Sequence, residues 1–150
     1  MEFKDVVINI AIGLISGIIS GAAVSEYYRS IDRQKTLRTG LYEMHMYLSI
    51  VRYALEDAIK GDYSTITNVL RNEPYPLLDK FSEEEKKNIG ESTLNGIYKA
   101  NTVISDLIII FLRDERTTFN KKELIKLKTK ALQSSLDLLT ARQILLKKGE

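Results

Sequence analysis

The longest hydrophobic stretch lies near the start of the chain, from Val6 to Ser25, VVINIAIGLISGIISGAAVS, twenty residues without a charge. At ~1.5 Å of rise per residue, a helix of that length covers the ~30 Å hydrocarbon core of a bilayer, so the stretch predicts one transmembrane helix. Small residues pattern one of its faces. Asn9, Gly13, Gly17, Gly21 and Ser25 recur at intervals of four with Ser16 and Ser20 beside them, while Ile8, Ile12, Ile15 and Ile19 point the other way. Such a ridge, a glycine zipper, lets a second helix backbone approach closely. Asn9, Gly13, Ser16, Gly17, Ser20 and Gly21 are therefore the expected self-association face.

Beyond the span, Glu26 to Lys60 holds no proline and predicts a long helix running straight out of the membrane. Leu37, Leu41, Met44, Leu48, Val51, Leu55 and Ala58 alternate steps of four and three, the coiled-coil-like seam of a helix packed on near-parallel or antiparallel neighbours. Gly40 interrupts that helix and predicts a bend where a membrane-proximal stalk, residues 26–38, joins a bundle over residues 39–148. Gly61 ends the helix. Asp62 can cap a short successor whose apolar patch is Ile66, Val69 and Leu70.

Pro74 and Pro76 bar a helix through RNEPYPLLDK, Arg71 to Lys80, which reads as a spacer. Ser82 and Glu85 then form a capping box, and the apolar series Ile89, Ile97, Ala100, Ile104, Leu107 and Phe111 predicts one helix from there to about Arg113. Val103 to Leu112 is nearly all apolar. It fails as a second span, because a stretch of sufficient length takes in Lys99 and Asp106, each costing ~2.5–3.5 kcal/mol near a bilayer centre. As a core helix, it leaves Asp106 in need of a basic partner.

Asn120 and Glu123 mark the start of the last helix, with Phe119 and Leu124 placed for a hydrophobic staple. Two seams run along it. Leu124, Leu127, Ala131, Ser134, Leu138, Ala141 and Leu145 make one, and Ile125, Leu132, Leu136, Leu139 and Leu146 the other. A helix apolar over more than half its circumference packs against two partners at once, or against one partner and another subunit. The expected architecture is all-α: residues 1–5 as a flank, the span, the stalk, and an antiparallel bundle of three long helices with a short connector.

Charge adds orientation. Lys4 is offset by Glu2 and Asp5, whereas Arg29, Arg33, Lys35 and Arg38 follow the other end of the span, so the bundle is expected in the cytoplasm of a single-pass membrane protein. Two acids before the apolar run also disfavour a cleaved signal peptide. Tyr27 and Tyr28 stand where an interfacial aromatic belt would be, and the four basic residues are the expected contacts for lipid headgroups. Net charge is only +2, which gives no case for nucleic acid as a partner, and the absence of cysteine removes disulfide and thiolate chemistry. The Ile- and Lys-rich usage fits an AT-rich bacterial or phage genome.

Candidate chemistry is sparse. His45 is the only histidine, so di-iron bundles built on Glu-x-x-His pairs and histidine-based zinc sites are excluded. Glu83, Glu84 and Glu85 are explained by the helix start they occupy. No glycine-rich phosphate loop follows a strand, and no cofactor is implied. These features point to a non-enzymatic membrane-anchored interaction or assembly protein that self-associates through its span and presents the bundle to an unidentified protein partner. The alternative built from the same parts is a holin-like or toxin-like membrane-active effector, or an immunity protein against a phage or bacteriocin.

Overall fold

The computed structural model describes residues 3–72, 76–113 and 119–147, with side chains from Gly13 onward. The described residues are almost entirely helical and contain no strand. Two compact units divide the chain, Met1–Thr36 and Leu37–Glu150.

Helix α1 spans Phe3–Ile59. In the first unit none of residues 13–36 is buried, and only Arg33 is half-buried. Among the described residues, no helix is long and apolar enough to cross a membrane. The side chains described within the apolar run are those of residues 13–25, and Glu26 follows them. Asn9 and the other side chains of residues 6–12 lie outside the described residues.

The second unit is a helical bundle. Its members are the α1 stretch from Leu37, then α2 (Ser64–Arg71), a 3₁₀ turn (Leu77–Lys80), α3 (Glu83–Lys87), α4 (Glu91–Ile108) continued by a π-helical turn (Ile109–Arg113), and α5 (Lys121–Lys147). Every position of the α1 seam from Leu37 to Ala58 is buried, as are Ile97, Ala100, Ile104, Leu107 and Phe111, and Leu124, Leu127, Ala131, Ser134, Leu138 and Ala141. The three stripes thus share one core. Contacts pairing Arg38 with Leu145, His45 with Ser135 and Glu56 with Lys128 set α1 antiparallel to α5.

Gly40 does not break α1. The helix is continuous through it, and the glycine is buried because the Leu77 side chain of the 3₁₀ turn occupies the place a Cβ would take. Gly61 takes φ 104°, a left-handed conformation that suits glycine, and ends the chain's first helical run. Asp62 is not the cap of α2, whose N-cap is Tyr63 with no side-chain cap; its Oδ1 instead accepts from the Ser64 hydroxyl at 2.6 Å and from the Ser64 N–H at 2.9 Å in the turn before the helix, which holds the Asp62 carboxyl below its usual pKa. Ile66 and Leu70 are buried and Val69 half-buried, and Tyr47 donates to the Val69 carbonyl at 3.3 Å, laying α2 on α1.

The capping box at Ser82 is complete in both directions. The helix it opens, however, is not continuous to Arg113. It ends at Lys87, and Gly90 caps a new helix, its carbonyl accepting from Thr93 and Leu94. Ile89 sits inside this break and is buried, so the break drives an apolar side chain into the core while the stripe keeps its period. Asp106 makes no ion pair with a described residue; it is half-buried at the edge of an open cleft, where water can solvate it. Asn120 caps α5 by accepting from the Lys122 N–H at 2.9 Å. Phe119 meets Phe111 at 4.7 Å and Tyr63 at 5.2 Å between ring centroids, an aromatic plug where α2, the π turn and α5 converge.

Candidate functional site

Along the first unit the small-residue ridge is open. A Cβ built at Gly13, Gly17 or Gly21 would meet nothing within 4 Å. The serine hydroxyls fold back on their own helix: Ser16 donates to the Gly13 carbonyl at 3.0 Å, and Ser20 to the Ser16 and Gly17 carbonyls at 2.8 and 3.1 Å. Each hydroxyl is thereby satisfied without water, and the ridge presents bare backbone and methylene groups. Leu14, Ile15, Ile18, Ile19 and Val24 surround it and are exposed, Ile18 at 69%.

The four predicted headgroup contacts have different surroundings. Arg33 stands 3.2 Å from Glu26 and Arg29 stands 4.0 Å from the same carboxylate, while Lys35 is exposed. Arg38 belongs to the second unit. Its Nη2 donates to the Leu145 carbonyl at 2.7 Å, placing a cation on the last turns of α5, where the helix dipole is negative. Sequence reading had no way to separate Arg38 from its neighbours, since its partner is 107 residues away.

Within the bundle, the most polar seam joins α1 to α5. His45 Nδ1 lies 3.0 Å from the Ser135 carbonyl and 2.8 Å from Ser135 Oγ, and Ser49 Oγ lies 3.2 Å from Ser135 Oγ while donating to the His45 carbonyl at 2.9 Å. The role of Nδ1 follows the ring's tautomer: protonated it donates to the Ser135 carbonyl, unprotonated it accepts from the Ser135 hydroxyl. In either tautomer the cluster is a polar staple between two helices. One step along the seam, Lys128 Nζ reaches Glu56 at 2.7 Å, and this hydrogen bond, aided by the charges of Lys128, Arg52 and Lys60, holds the Glu56 carboxyl below its ordinary pKa.

No protein family, characterised protein or solved structure matches this chain. The site must be read from its own geometry.

On the far side of α5, two open clefts of about 500 and 430 Å³ lie along α4, the first where Gly96 and Ala141 carry little or no side chain. Their charges are mixed, with Lys99 and Lys130 set among Glu91, Asp106 and Asp137. Among the described residues, no group of three histidine, aspartate or glutamate side chains is placed to hold a metal.

The second apolar seam of α5 stays uncovered in the chain: Ile125, Leu132, Leu136 and Leu146 are exposed and Leu139 half-exposed. Next to it on α1, Tyr42, Met46 and Tyr53 are exposed as well, Tyr53 at 59%. The α1 residues follow the spacing i, i+4, i+11, an outer stripe whose partner stripe lies on another helix.

Proposed function

We propose that this chain is a membrane-tethered, non-enzymatic interaction protein: Val6 to Ser25 enters the bilayer, the ridge through Gly13, Gly17 and Gly21 gathers copies, and the bundle is held on the cytoplasmic side for a protein partner. The observation that carries the reading is the bare first unit. Large aliphatic side chains from Leu14 to Val24 are exposed in a stretch, residues 13–36, with no buried residue, and such a surface requires lipid or another helix to cover it. The uncharged run of the sequence is long enough for lipid to do so, and Arg29, Arg33 and Lys35 stand beyond it for anionic headgroups.

The serine hydrogen bonds weigh against the membrane-lesion alternative. A pore assembled from this helix needs a polar lumen, and Ser16 and Ser20 spend their hydroxyls on their own backbone.

Inducible expression with membrane fractionation and a dye-leakage readout tests the proposal. A tethered interaction protein stays in the membrane pellet after alkaline extraction, with growth and dye exclusion intact. Recovery in the extract overturns the tether. Growth arrest with leakage overturns the interaction role in favour of a lesion.

A further inference from the structure

The uncovered face of the α1–α5 pair is large, apolar in the middle and basic at both ends. Tyr42, Met46 and Tyr53 form its α1 ridge, and Leu132, Leu136 and Leu139 its α5 ridge, with the Ser49–Ser135 contact between the two helices. Together with Ile50, Ile125 and Leu146 at the margins, these side chains expose on the order of 700 Å², near the ~800 Å² that each partner contributes to a standard interface and above the largest patch of a typical monomer. Two antiparallel ridges with a seam between them have the form that accepts a third helix.

The ends carry the sign. Arg142 lies over the Tyr42 ring at 5.0 Å and Arg52 over the Tyr53 ring at 4.6 Å, so a guanidinium stacks on a tyrosine at each end of the α1 ridge. Neither arginine forms an ion pair with a described residue, and the Nε of each is buried without a hydrogen-bond partner. The bordering carboxylates are already engaged: Glu43 with Lys80, Glu56 with Lys128 and Asp57 with Lys60. Eleven residues separate Tyr42 from Tyr53, about 16 Å or three turns of helix.

We infer that this face docks an amphipathic helix of a partner protein, one that lays an apolar stripe between the two ridges and sets a carboxylate against Arg52 and another against Arg142, about three turns apart. Charge decides against the other occupants. A second copy facing this one brings cationic ends together, and the described carboxylates that border the face, Glu43, Glu56 and Asp57, are already paired; like charges across an interface cost affinity. A lipid surface has no use for a seam between ridges, nor for two cations at a fixed spacing. The inference needs only the bundle and stands whether or not α1 enters a bilayer.

The test uses the full chain, kept dispersed in a non-ionic amphipathic polymer, and a designed helical peptide. The peptide carries leucines at i, i+4 and i+7 between two glutamates eleven residues apart, and a control peptide carries lysines in their place. The acidic peptide is expected to bind at least about tenfold more tightly than the control. Arg52→Gln and Arg142→Gln should each weaken it about five- to tenfold and Leu136→Lys should abolish binding, while Lys126→Gln, elsewhere on α5, leaves it unchanged. Circular dichroism of each variant confirms that the bundle is retained. Equal binding of the two peptides, or indifference to both arginine changes, overturns the inference. So does a dimer in sedimentation that Leu136→Lys dissociates, which assigns the face to a second copy. Binding to phosphatidylserine vesicles that both arginine variants lose assigns it to lipid and overturns the inference equally.

Discussion

Leu77 is seated on Gly40: its side chain fills the position that a Cβ on residue 40 would occupy, deep in the contact between the 3₁₀ turn and α1. Gly40→Ala gains ~1 kcal/mol of helix propensity yet forces Leu77 out of place, and overpacking of that kind costs ~1–3 kcal/mol. The net expectation is a less stable bundle. Gly96→Ala provides the contrast, because a Cβ there meets nothing within 4 Å in the middle of α4 and should stabilise by ~0.5–1 kcal/mol. Urea denaturation of the two variants should shift the midpoint in opposite directions, and equal shifts would contradict the packing account.

At Ser82 the hydroxyl accepts from the Glu85 N–H at 3.2 Å while the Glu85 carboxylate accepts from the Ser82 N–H at 2.8 Å. Ser82→Ala should therefore cost ~1 kcal/mol, with hydrogen exchange accelerating first over α3. Exchange unchanged at Glu83 to Lys87 would remove the cap from the account of how this segment is held.

The Glu56–Lys128 bridge gives a signed dependence on pH. Its hydrogen bond holds Glu56 below the ordinary carboxyl value of 4.5 in the folded chain, so the stabilisation is fully present above that value and is lost as pH falls through the lowered one. Side-chain carboxyl titration by NMR should place Glu56 below 4.5, and Lys128→Met should raise it towards 4.5. A Glu56 midpoint at or above 4.5 in the parent chain would contradict the bridge in solution.

What the sequence revealed depended on how far apart the interacting residues stand. The Ser82 box, the Asn120 cap and the Gly61 stop act over two or three residues, and all were legible. The stripes of α1, α4 and α5 were legible too, since one face of each helix meets the same core. The break at Gly90 was hidden because Ile89 keeps the apolar period across it. Gly40 stood out as a soft point, but its reason, Leu77, lies thirty-seven residues on. Arg38 with Leu145, His45 with Ser135 and Arg142 with Tyr42 join opposite ends of the chain, and no local signal announces such pairs. The second seam of α5 was readable as a surface in search of a partner. That Tyr42, Met46 and Tyr53 extend it on α1 required the packed bundle.

The proposed role rests most directly on the ridge of the first unit, where Gly17 stands open. Gly17→Ile sets a branched side chain where two backbones should nearly touch, raises the hydrophobicity of the segment, and leaves the bundle untouched. The decisive measurement is chemical cross-linking of the full chain in membranes, comparing the parent with Gly17→Ile and with Ile15→Leu on the opposite face. Cross-linked oligomer should fall several-fold for Gly17→Ile and stay unchanged for Ile15→Leu. If both variants cross-link as the parent does, the glycine ridge is not the contact between copies, and the proposal that α1 gathers this protein in the membrane is contradicted.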